Sequence, residues 1–173
     1  MNRRTTSIVS CFLSGLAVTW CVFAGPMLPS EDRVPDEALS LAGLRQFKIE
    51  VSAAPDVLER CGITTDELKS MFHRQLEEAG LMVREDGDMP RLVLTVFDAT
   101  DINQPESVAL SVVIAVHQPV YLKRMKREMT VPTVSMGKMG LTTKQKVDGT
   151  LQNLIRVTTD ALNRTIRMAT DQK

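Results

Sequence analysis

Hydrophobic and polar residues alternate most regularly at residues 107–122, in the stretch SVALSVVIAVHQPVYL. Every second residue from Val108 to Val116 is a large aliphatic residue, a period typical of a strand with one buried face. At about 3.3 Å per residue, the segment before Pro119 reaches roughly 40 Å, well beyond an average strand. We predict that this strand is the central element of the fold and that it continues past Pro119 at an edge.

Shorter apolar segments predict the strands that pair with it. Residues 44–51 alternate, with Phe47, Ile49 and Val51 directed inward. Further strands are predicted at residues 81–83, 91–97 and 128–136, with a polar loop at residues 98–106. Pro132 lacks the N–H group that a central strand needs, so the last of these strands is placed at an edge of the sheet.

Two helices are predicted from caps and from apolar spacing. Thr64 and Glu67 stand at the spacing of a capping box, and Gly80 occupies the position of a left-handed C-terminal residue. Apolar residues at helical spacing between them predict a helix at residues 65–79. Glycines break the pattern at residues 137–140, and a second apolar stripe then predicts a long helix from about Thr143 to Met168.

The order of these elements predicts an α+β fold. It is a two-layer sandwich in which both helices cover one face of a mostly antiparallel sheet of four to five strands, in the order β-α-β-β-β-β-α. The other face of the sheet is then left open. Residues expected on that face are Ser111, Val113, Ala115, His117 and Tyr121.

The first 24 residues are typical of a secretory signal peptide. Arg3 and Arg4 precede an uncharged run, which closes on Val22-Phe23-Ala24 with small residues where a peptidase cleaves. Rival interpretations are an uncleaved anchor, lipidation at Cys11 or Cys21, and twin-arginine export. We predict cleavage near Ala24, a flexible linker at residues 25–38 and a single domain at residues 39–173. The exported chain is expected to be periplasmic or secreted, without a transmembrane span.

The charge and the cysteine content argue against a nucleic-acid-binding protein and against a disulfide-stabilised one. Residues 25–173 contain 19 basic and 21 acidic residues, a formal charge of −2 that gives no bulk attraction to nucleic acid. Cys61 is the only cysteine in that part of the chain, so an internal disulfide is impossible. We predict that Cys61 is a small buried apolar residue.

No catalytic, cofactor or metal motif is present. Two histidines and one cysteine do not form a zinc set, and the acidic clusters at residues 85–88 and 98–103 lack the pattern of a calcium loop. We therefore predict a chain that is not an enzyme and that has no cofactor and no metal. The alternative is a small hydrolase or metal-dependent enzyme whose site forms around His117 with Asp98 or Asp101.

Positive charge is concentrated directly after the long strand. Lys123, Arg124, Lys126 and Arg127 are the candidate binding residues, because four cations in five positions suit an anionic lipid or an acidic protein. Other lysines expected to join them in space are Lys138, Lys144 and Lys146. A solvated hairpin tip, or charges that protect an edge strand, would give the same pattern.

The signal peptide, the order of elements and the long central strand resemble small exported bacterial α+β domains. Examples are the lipopolysaccharide-assembly lipoprotein family and the amino-terminal domain of the TolB family. The resemblance implies a non-catalytic module of the cell envelope that binds a protein or lipid partner. A structural domain that oligomerises through the edge near Pro132 is a further alternative.

Overall fold

The computed structural model describes residues 35–101 and 103–172, which form a mixed five-stranded sheet and four α-helices. The strands are β1 (Gln46–Ala53), β2 (Met82–Val83), β3 (Arg91–Asp101), β4 (Gln104–Leu122) and β5 (Arg127–Thr143). The helices are α1 (Asp36–Leu39), α2 (Pro55–Cys61), α3 (Thr65–Glu78) and α4 (Val147–Asp171). The predicted signal peptide and its cleavage point lie outside the described residues.

The sheet has the strand order β2-β1-β3-β4-β5. β1 runs parallel to both β2 and β3, whereas β4 is antiparallel to both β3 and β5. The predicted α+β class is confirmed, and the long antiparallel pairings hold most of the paired residues. None of the helices within the described part of the chain has the length and hydropathy required to cross a bilayer.

β4 is the central long strand that the alternation predicts. Its aliphatic residues from Val108 to Val116 are buried beneath the helices, and their neighbours on the other face are partly exposed. The strand continues through Pro119 to Leu122, as predicted. Beyond His117, β5 is the one strand among the described residues that pairs with β4, so alternate N–H groups have no partner strand and a proline is tolerated there.

β5 is longer than predicted, because the glycines at residues 137–140 lie inside it. At Gly137 a Cβ atom would lie 3.1 Å from the Val112 carbonyl oxygen and 3.1 Å from a Val113 methyl group. At Gly140 a Cβ atom would face Leu154 of α4. Gly137 therefore allows a close approach within the sheet, whereas a Cβ atom at Gly140 would make ordinary van der Waals contact with α4, and neither glycine ends the strand. Pro132 lies on this edge strand, as predicted.

One hydrophobic core joins both long helices to one face of the sheet. α3 begins with the predicted capping box, in which the Thr64 hydroxyl oxygen accepts from the Glu67 N–H and the Glu67 carboxylate accepts from the Thr64 N–H. α4 begins at Val147, after a 3₁₀ turn at Lys144–Lys146, and reaches Asp171, slightly beyond the predicted end. At about 1.5 Å per residue it is roughly 37 Å long and packs along β4 and β5.

Two short helices are absent from the sequence-based prediction. α1 lies within the stretch predicted as linker, and its Ala38 is buried against Ala169 of α4. α2 begins at Pro55 and ends before Gly62, which has a left-handed backbone conformation. Both helices are too short for an apolar period to reveal them. The predicted loop at residues 98–106 is also shorter, because β3 extends to Asp101 and β4 starts at Gln104.

Candidate functional site

The β4–β5 hairpin extends beyond the rest of the sheet and carries the predicted basic cluster at its tip. β3 begins at Arg91, opposite His117, so the pairs from Gln118–Val131 to Leu122–Arg127 form a two-stranded ribbon. The turn is closed by a hydrogen bond from the Met125 N–H to the Leu122 carbonyl at 3.0 Å. Lys126 adopts a positive φ of 49°, which completes the reversal of the chain.

All four cations of the cluster are exposed. Lys123, Arg124, Lys126 and Arg127 form no ion pair within the part of the chain that the structure describes. Glu128 is the only acidic residue in the sequence between Ser107 and Val147. The tip is therefore a dense positive surface that the folded domain does not neutralise.

The three lysines expected to join this cluster lie elsewhere, so that part of the prediction is wrong. Lys138 pairs in register with Val112, in the middle of the sheet. Lys144 lies past the opposite end of β5, roughly 50 Å along the strand from the tip, and is 4.0 Å from Glu106. Lys146 lies in the same turn. The separation arises because β5 continues as a strand through residues 137–143.

The face of the sheet opposite the helices is open, as predicted. Ser111, Val113, Ala115 and His117 are partly exposed there, and Tyr121 is more than half exposed. The register adds an apolar row that the sequence does not reveal. Phe97, Met139 and Leu141 are 55%, 72% and 83% exposed, with Phe97 and Met139 on either side of Ser111.

The alternative catalytic site around His117 is not assembled. His117 lies on the open face, opposite Arg91 in register. Asp98 lies on the helix-covered face, seven positions along β3, which is roughly 23 Å. The backbone of Asp101 is farther still along the same strand. His117 and Asp98 therefore do not meet at one site in this fold.

Asp98 instead holds α2 against the sheet. Its side chain is only 2% exposed and accepts two hydrogen bonds from the Arg60 guanidinium, one from Nε and one from a terminal nitrogen at 2.7 Å. Arg60 also donates to Asp56 at 2.8 Å. The Asp98 and Asp56 carboxylates raise the pKa of Arg60, and the Arg60 hydrogen bond lowers the pKa of Asp56. This bidentate pair has the geometry of a structural clamp.

The other two side chains that could act in catalysis are Cys61 and His73. Cys61 is buried, as predicted, and burial followed by the nearby Asp98 charge raises the pKa of its thiol. A raised pKa disfavours the thiolate and therefore a nucleophilic role. His73 is partly exposed on α3, 3.4 Å from Glu77.

The β5 edge carries three features that prevent further strands from pairing with it. Pro132 supplies no N–H group, and the register with β4 shifts at Thr133, between the Val116–Val134 and His117–Pro132 pairs. Lys138 occupies a position on the helix-covered side of this strand. Proline, a bulge and an inward-side charge are devices that protect edge strands. They disfavour the alternative in which the chain oligomerises through the edge near Pro132.

No known protein family matches this chain, and no curated protein matches it in sequence. Several solved structures resemble it. A minor lipoprotein from Acinetobacter baumannii has 13% identity and a TM-score of 0.39, and the alignment covers 76% of this chain and 95% of that chain. A dodecamer of a PelC variant from Paraburkholderia phytofirmans has 11% identity and a TM-score of 0.41, over 70% and 90% of the two chains.

The third structure is a protein assigned as a lipoprotein from Caulobacter crescentus CB15. It has 15% identity and a TM-score of 0.25, with coverage of 78% of this chain and 92% of that chain. Bacterial lipoproteins are thus among the structures similar to this chain. At these identities and TM-scores the similarity assigns no family, activity or partner, and the resemblance to the two envelope families stays a prediction.

Proposed function

We propose that this protein is an exported, non-catalytic binding module of the bacterial cell envelope, and that the tip of its β4–β5 hairpin contacts an anionic lipid surface. The observation that carries the proposal is the position of Lys123, Arg124, Lys126 and Arg127 on a two-stranded ribbon, where they outnumber its one carboxylate, Glu128, by four to one. Clustered cations near a membrane each contribute about 1 kcal/mol of attraction to anionic lipids.

The side chains beside the cations support a lipid partner over an acidic protein. Tyr121 and Met125 are about half exposed and flank the basic cluster. A tyrosine ring is stable at the level of lipid headgroups, because its apolar body and its hydroxyl group meet different environments there. Methionine is flexible enough to make apolar contacts with an irregular surface. The tip thus combines charge with apolar area at one location.

The test compares two triple substitutions that each remove three positive charges. One changes Lys123, Arg124 and Lys126 to Gln at the tip, and the matched control changes Lys138, Lys144 and Lys146 to Gln at distant positions. Protein purified after export is sedimented with vesicles of phosphatidylglycerol and phosphatidylcholine. We expect the tip variant to bind roughly 10- to 100-fold more weakly than the control, because three headgroup attractions are lost.

Two further measurements separate the possible partners. Raising the salt concentration should weaken binding of the parent protein and have little effect on the tip variant. Equal binding by the two triple variants would contradict the proposal. Binding to soluble polyglutamate that is stronger than binding to anionic vesicles would favour an acidic protein instead.

A further inference from the structure

β1 has a free edge over most of its length, because its outer neighbour β2 contains only two residues. The pairs between these strands are Gln46–Met82 and Phe47–Val83. The last hydrogen bond on this side runs from the Arg84 N–H to the Phe47 carbonyl at 2.9 Å. From residue 48 to residue 53, β1 therefore has a partner strand, β3, on one side only.

Alternation along the strand identifies the unpaired backbone groups. The Lys48 N–H donates to the Pro90 carbonyl at 3.0 Å, on the β3 side, whereas the Phe47 carbonyl is directed to the β2 side. Ile49, Val51 and Ala53 therefore direct their N–H and C=O groups to the free edge. Within the described residues, no hydrogen bond reaches these groups from that side.

A cleft of about 420 Å³ lies at this edge, beside Ile49. Its other wall is one face of α3, formed by residues at helical spacing: Asp66, Lys69, Ser70 and His73. Lys69 donates to Glu85 at 2.9 Å, and the Lys69 ammonium lowers the pKa of that carboxyl. Among the described residues, the Asp66 carboxylate has no ion-pair partner. The cleft therefore offers one uncompensated negative charge.

The free edge of β1 lacks the protective features of β5. Its register with β3 is continuous from Lys48 to Ala53, without a bulge or a proline. The side chains on the helix-covered face are apolar, at Ile49, Val51 and Ala53. The charged Lys48 and Glu50 both lie on the open face, where Arg91 donates to Glu50 at 3.2 Å.

We infer that the free edge of β1 binds an extended segment of another polypeptide, which adds to the sheet as a sixth strand. Three N–H and three C=O groups at alternate positions match the backbone of an extended peptide, the geometry of β-strand addition. The segment would place apolar residues at alternate positions, against the core side, with a lysine or arginine near Asp66. A β5 strand from a second copy does not suit this edge, because Pro132, the bulge and Lys138 oppose pairing.

The test selects peptides and then removes one backbone donor. A phage-displayed library of random ten-residue peptides is panned against the protein purified after export, and enriched peptides are synthesised for anisotropy measurements. Val51→Pro deletes a free-edge N–H without removing a hydrogen bond to β3, and Val51→Ala is the matched control for the lost side chain. We expect binding to weaken at least tenfold in the proline variant and to remain within about threefold in the alanine variant.

Two further experiments test the inference if the Val51→Pro variant does not fold. A peptide N-methylated at the amides that face β1 should lose binding. A peptide N-methylated at the intervening amides, which face away from β1, should keep it. Hydrogen exchange should slow at the amides of Ile49, Val51 and Ala53 when peptide is added. The inference is overturned by enriched peptides without alternation, by equal binding to the proline and alanine variants, or by protection of these amides before any peptide is present.

Discussion

The two outer edges of this sheet are built in opposite ways. β5 presents a long edge that is interrupted by Pro132, bent by a bulge at Thr133 and charged at Lys138. The edge of β1 beyond residue 47 is short, regular and apolar on its covered side, and it lies beside a cleft. Since an unprotected edge promotes aggregation, its presence opposite a protected one favours the peptide-binding role proposed for it.

The largest effect expected from this comparison concerns proline in β1. Ser52→Pro should lower the free energy of unfolding by about 2–3 kcal/mol, because it removes an N–H that bonds to β3 and leaves a carbonyl without its donor. Val51→Pro should cost less than about 1 kcal/mol, since that N–H has no partner. Urea denaturation of both variants measures the difference. Equal losses would mean that the assigned directions of the backbone groups are wrong.

A second prediction removes the protection of β5. Pro132→Val together with Lys138→Val should restore a backbone N–H at residue 132 and strengthen self-association roughly tenfold, because two of the three barriers to strand pairing are lost. Sedimentation velocity over a range of concentrations measures the effect. Lys144→Val is the control, since it removes a positive charge outside the strand. No change in the double variant would show that the bulge alone protects this edge.

The smallest effects concern the α3 N-terminus, which positions the cleft wall. Thr64→Ala should lower the free energy of unfolding by about 1 kcal/mol at neutral pH, because the capping hydroxyl is lost. The Thr64 backbone N–H, and then its hydroxyl, lower the pKa of Glu67 below its ordinary value of 4.5.

The lowered pKa of Glu67 determines how the stability of the protein changes as the pH falls. A carboxyl whose pKa is lowered by folding stabilises the protein above its unfolded pKa, and this contribution is lost as pH falls through the lowered value. Thermal unfolding between pH 6 and pH 2 should therefore show a smaller acid loss in Glu67→Gln than in the parent protein. An identical pH profile in both proteins would contradict the role of this carboxylate.

Much of the fold follows from local patterns. The alternation along β4 predicts both its length and its buried face, since a period of two fixes which residues share a side. The Thr64–Glu67 pair predicts the start of α3, because a capping box satisfies backbone groups within four residues. Local chemistry is sufficient in both cases. The glycines of β5 mislead for the opposite reason, because the close approach that Gly137 allows is to β4, which is distant in sequence.

The candidate sites differ in the same respect. The basic tip is visible in the sequence, since Lys123 to Arg127 are contiguous and the hairpin keeps them together. The apolar row of Phe97, Met139 and Leu141 depends on register across three strands. The free edge of β1 depends on the short length of β2 and on the position where β3 begins. No local pattern encodes these relations.

The length of the β4–β5 hairpin determines how far its tip lies from the end of β3. Five residues of β4 extend beyond the last pair with β3, which amounts to roughly 17 Å at about 3.4 Å per residue. Outside this hairpin, the domain carries more acidic than basic residues. The electrostatic screening length at physiological ionic strength is about 8 Å, half that overhang. A domain standing on its tip would therefore hold the end of β3 about two screening lengths from an anionic surface.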